Sequence, residues 1–160
     1  MTDSSVLVAV DLTEDERHFI QQTMEQWALS AAWKPFPFQV LGLSTWEEFL
    51  NLTGRLEHAV VAGEPLTDLD WARVLFLTEI TWASMLIGSG LDFAIVTRFS
   101  DSEAVSLLRG LQRKISGRKR AQLLFPNGGR TPTAEEIEEQ KRRLEQMRRE
   151  QEGRQYPPGL

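Results

Sequence analysis

Apolar positions recur at helical spacing along most of this chain. With about 100° of rotation per residue, Phe19, Ile20, Thr23, Met24, Trp27 and Ala31 share one side of a segment from Thr13 to about Ala32. Thr13-Glu14-Asp15-Glu16 has the form of a capping box: a hydroxyl to accept from the N3 amide, and a carboxylate three residues on to reach back. Lys34-Pro35-Phe36-Pro37 closes that helix, because the residue before a proline avoids the α region.

The same signature repeats. Ser44 to Glu47 predicts a second helix with Trp46, Phe49, Leu50, Thr53, Leu56 and Val60 in one stripe, capped by a left-handed Gly63. Thr67 to Asp70 opens a third, Trp71 to Ile87, apolar nearly all round and therefore packed on several neighbours. Arg73 and Glu79 interrupt it, and its apolar run is shorter than the roughly 20 residues a bilayer demands. Gly88-Ser89-Gly90 stops it. Ser100 to Glu103 starts a helix to about Ile115, striped by Ala104, Leu108, Leu111 and Ile115, and Thr133 to Glu136 starts the last one.

The pattern predicts an all-α fold: a compact bundle of about four to five helices over 1–115, a basic Gly/Pro linker at 116–132, and a separate charged amphipathic helix with a disordered tail at 133–160. Three short segments, 6–10, 38–42 and 91–97, are also compatible with strands, and a helix is favoured for the last.

Composition narrows the chemistry. No cysteine exists among the 160 residues, which excludes disulfide scaffolds, thiolate metal sites and thiol catalysis. The polar, acidic opening Met1-Thr2-Asp3-Ser4-Ser5 lacks the basic start of an export signal, so a cytoplasmic location is expected. The net charge of −5 hides a polarity: the first hundred residues carry 14 acids and 5 bases, the remainder 9 acids and 13 bases. Between 104 and 134 there are seven bases and no acid. Such a stretch either meets an anionic partner or rests on the protein's own acidic surface.

Glu79 is the leading chemical candidate. It falls beside Leu75, Trp82, Ala83 and Leu86, where a carboxylate is either a working acid or one half of a structural ion pair with Arg55 or Arg98. Glu57 gets the same reading in weaker form. Glu14 and His18 have ligand spacing but project away from the apolar stripe, so no metal and no cofactor is expected. Neither a GxxxxGK[ST] nor a GxSxG signature is present, and no catalytic constellation forms.

A binding role fits better than an enzymatic one. The expectation is a non-enzymatic adaptor that engages a protein partner through Arg113, Lys114, Arg118, Lys119, Arg120 and Arg130, with Ile137, Leu144 and Met147 as an apolar thread on the last helix. Self-association through the tail is also left open. Trp33, Phe36 and Phe38, in a proline-broken connection, form a candidate apolar groove. Two alternatives stand beside it: a small enzyme or ligand-binding domain built on Glu79, and weak, sequence-independent nucleic-acid binding through Arg109–Arg120. No membrane partner is expected.

Overall fold

A computed structural model describes residues 5–154. The chain divides into two compact units, Met1–Asn127 and Gly128–Leu160. The first is mostly helical. Its α-helices are α1 (Glu14–Glu25), α2 (Trp46–Ala62), α3 (Asp68–Ala83), α4 (Phe93–Val96), α5 (Asp101–Ile115) and α6 (Arg118–Leu124). The second unit holds α7 (Ala134–Arg154). Among the described residues one small sheet forms, with β1 (Leu7–Val8) antiparallel to β2 (Leu66–Thr67) in the register Leu7 to Thr67. Residues 38–41 make a 3₁₀ turn, so of the three ambiguous segments only the first contributes a strand.

Local signals set the helix starts. Thr13 and Glu16 form the full reciprocal capping box. Thr67 accepts from the Asp70 N–H, and Ser100 from the Glu103 N–H. At the second helix the cap shifts by one residue: Thr45, not Ser44, accepts from Glu48 N–H, while the Glu48 carboxylate takes the Ser44 N–H. α1 ends at Glu25, earlier than its stripe suggests. Beyond it the chain tightens into a 3₁₀ turn, where the Gln26 side chain accepts from the Ser30 hydroxyl at 2.6 Å, and that hydroxyl also meets Ser89 at 2.6 Å. A side-chain acceptor there competes with the helical ladder.

The predicted stripes are the core. Phe19, Ile20, Met24, Trp27 and Ala31 from the first segment are buried against Phe49, Leu56 and Val60 of α2, with Trp71, Val74 and Leu77 of α3 and Ala104, Leu108, Leu111 and Ile115 of α5 in the same cluster. α3 is the central helix, packed on α1, α5 and α6. Where α1 crosses α3, the buried Thr23 and Thr78 hydroxyls meet at 3.2 Å, so even the polar atoms of that interface are satisfied. β1 is fastened by Trp71, whose indole N–H donates to Val8 O at 2.8 Å.

The segment read as a linker contains a helix. α6 lies on α3, and its cations explain why it is folded: Lys119 Nζ and Arg120 Nε contact the Asp68 carboxylate at 3.2 and 2.9 Å, while Arg120 Nη1 donates to the last-turn carbonyl of Ile115 at 2.9 Å. One guanidinium thus joins the start of α3, the end of α5 and the start of α6.

Gly88 carries a sharp steric demand. A Cβ there would lie 2.1 Å from Ile80 O and 2.9 Å from Ser84 O, both backbone atoms that cannot swing away. Gly88→Ala is therefore expected to destabilise the first unit by about 2–3 kcal/mol, the cost of overpacking a rigid site. Gly54, which meets nothing within 4 Å in α2, supplies the contrast: Gly54→Ala should gain up to about 1 kcal/mol from helix propensity. Urea denaturation of the two variants checks the pair. Equal midpoints would mean that the turn at 84–90 yields freely.

Candidate functional site

α3, α5 and α6 enclose a cleft of about 430 Å³. Its walls are mainly apolar, with Leu75 and Phe76 from α3, Ile115 from α5, Leu124 from α6 and Phe125 beyond it. Phe76 and Phe125 meet edge to face, 5.2 Å between centroids, closing one end. α6 has no fully buried residue of its own, so it serves as a wall rather than as core.

Glu79 enters this cleft from α3. It is half-buried, and its Oε2 accepts from Gln112 Nε2 at 2.8 Å. Gln112 Oε1 in turn accepts from Arg109 Nη1 at 2.7 Å, which fixes the amide with its NH₂ toward the carboxylate. Neither arginine considered as a structural partner reaches Glu79. Arg55 is bidentate on Asp70, at 2.8 and 3.1 Å, and Arg98 Nη2 lies 3.2 Å from His18 Nε2. Arg120, on the cleft's rim, is held by Asp68 and Ile115 O.

Three other acids are set by their surroundings. Burial alone would raise the Glu16 carboxyl, but its hydrogen bonds to Lys114 and to the Thr13 N–H hold it below the ordinary glutamate value. Asp70 behaves alike: burial is outweighed by hydrogen bonds from Arg55 and Arg73. Glu57 goes the opposite way, raised first by burial and then by the charge of Glu25 facing it from α1. Sequence reasoning took Asp70 only as a helix-capping position. The i,i+3 neighbour Arg73 was the one local sign of its larger role.

The basic candidates separate into two groups. Lys114, Lys119 and Arg120 are spent inside the molecule, on Glu16 and Asp68, so these three rest on the protein's own acidic residues. Arg113 and Arg118 stay exposed, and Arg130 pairs with Glu136 at 2.8 Å at the start of α7. The aromatic trio is not brought together as a groove. Phe36 is buried between Trp27 and Phe49, Phe38 packs on Trp46 and Phe49, and only Trp33 points outward, 96% exposed. Lys34 Nζ binds Met85 O at 2.8 Å, and Met85, Leu86, Leu91 and Ile95 are also exposed. His18 is half-buried, with its ring 5.5 Å from that of Phe99. No group of three or more His, Asp or Glu suited to a metal ion occurs among the described residues.

On α7, Ile137, Leu144 and Met147 are all exposed, and no residue of the helix is buried. They fall within about 80° of one another on the helix surface, in one narrow stripe. No described helix is long and apolar enough to cross a membrane. No family model, curated protein or solved structure matches this chain.

Proposed function

We propose that this protein is a non-enzymatic adaptor that works by presenting α7 to a protein partner. The observation that carries the reading is the exposed stripe of Ile137, Leu144 and Met147 on a helix of a separate unit. Most helical stability in proteins comes from packing an apolar face, so the stripe is suited to an apolar groove on another protein. Three apolar positions over two heptads fall short of a self-sufficient coiled coil. Glu139 and Arg143, 2.7 Å apart on α7, leave the surroundings of the stripe mixed in charge, which favours a protein groove over a phosphate backbone. With Lys114, Lys119 and Arg120 committed internally, α7 becomes the contact element. A cytoplasmic setting goes with this reading.

The test is the triple variant Ile137→Ala, Leu144→Ala, Met147→Ala, which keeps good helix formers throughout. Native mass spectrometry on full-length protein isolated from its own cells should show a protein partner on the wild type. The triple variant should bind that partner about a hundredfold more weakly, as expected for loss of several central anchors. Undiminished binding, or a wild-type chain that carries no protein, would overturn the reading.

A further inference from the structure

The cleft between α3, α5 and α6 carries a separate inference, independent of the role of α7. Its volume, about 430 Å³, lies within the range of small-molecule sites. What distinguishes it from a packing defect is its polar content. Apolar cavities that merely reflect imperfect packing have no reason to hold a carboxylate. Here Glu79 reaches in, and its one hydrogen-bond partner among the described residues is the neutral amide of Gln112. Arg120, which also lines the cleft, is hydrogen-bonded to Asp68 and Ile115 O instead. The result is a carboxylate that shares the cleft with Leu75, Phe76, Ile115 and Leu124 and forms no ion pair among the described residues. A carboxylate in apolar surroundings attracts a cation more strongly than one in bulk water.

We propose that this cleft binds a small apolar molecule bearing a protonated amine, its ammonium group on Glu79 and its hydrocarbon part against the α6 wall. Each part of the site has a role in that pose. Gln112, oriented by Arg109, holds the carboxylate by Oε2, and Oε1 accepts from the ammonium. Phe76 and Phe125, edge to face at one end of the cleft, add aromatic surface for the hydrocarbon part. Asp68 keeps Arg120, and so α6, in place and offsets the guanidinium's charge.

The probes are n-hexylammonium, hexan-1-ol and hexanoate, alike in chain length and differing in charge. They are titrated into the full chain at neutral pH while backbone amide resonances are followed by NMR. Hexylammonium should perturb amides around Gln112, Ala121 and Leu124 and bind at least about tenfold tighter than hexanol, the factor expected of one charge-assisted hydrogen bond. Hexanoate should be weakest. Glu79→Gln should erase the preference for the amine over the alcohol. Ala121→Trp, placed on the exposed rim, should block all three probes while the remaining spectrum stays that of the folded protein, and it serves if Glu79→Gln does not fold. Amine binding no tighter than alcohol, a preference that survives Glu79→Gln, binding that survives Ala121→Trp, or perturbations elsewhere on the chain would each overturn the proposal.

Discussion

Phe49→Ala is expected to remove about 3–5 kcal/mol of stability, a large part of what a domain of this size possesses. Phe49 is fully buried at the crossing of α2 with the segment that follows α1. Its ring lies 5.2 Å from Trp27, 5.2 Å from Phe36, 6.3 Å from Phe38 and 5.0 Å from Trp46. Truncation removes one member of four aromatic pairs and leaves a void between rigid rings that cannot easily collapse into it. Phe49→Leu, which keeps much of the volume, should cost markedly less. Urea denaturation followed by far-UV circular dichroism reads both. A loss below about 2 kcal/mol for the alanine variant would mean that Trp27 and Phe36 close the gap.

Asp70→Ala ranks next, at about 3 kcal/mol. Its side chain is about 10% exposed and accepts from two arginines, Arg55 on α2 and Arg73 on α3. Removing it strands Arg73, whose Nε is already buried without a partner. The figure sits at the lower end for a broken buried pair because Arg55 is half exposed and can rehydrate. The effect should depend on pH in a fixed direction. The Asp70 carboxyl is held below its ordinary value, so its contribution is fully present above about pH 4 and is lost as pH falls through the folded-state pKa. Stability of wild type and of Asp70→Asn measured from pH 7 downward should therefore converge in acid. A gap unchanged down to pH 2 would show that the arginines contribute through packing rather than charge.

These two sites differ in how visible they are along the chain. Phe49 belongs to a stripe that periodicity alone identifies, and so do Phe19, Trp27, Leu56, Leu108 and Leu111, all of them core. Thr13, Thr67, Ser100 and Thr133 announce helix starts because a cap and its N3 partner are three residues apart and need nothing else. The early end of α1 was not legible, since it depends on Ser30 meeting Ser89 from a distant loop. Nor was α6. Its seven residues follow Gly117 with no side-chain cap, and its cations find Asp68 about fifty positions earlier.

Glu79 stood out from its neighbours on the helical wheel, yet its partner Gln112 and the cleft around it could not be read in the same way. Trp33 and Phe36 show the limit most plainly. They are three residues apart in the same proline-broken segment, and one is 96% exposed while the other is 4% exposed. The sequence by itself determined which residues make helices, where most of them begin and which face turns inward, because those choices rest on interactions within one or two turns. Tertiary structure decided which cations are spent, which aromatic is left outside and where a carboxylate meets a cavity. Those outcomes depend on distances between elements, such as the one that brings Lys114 to Glu16, and no spacing along the chain encodes them.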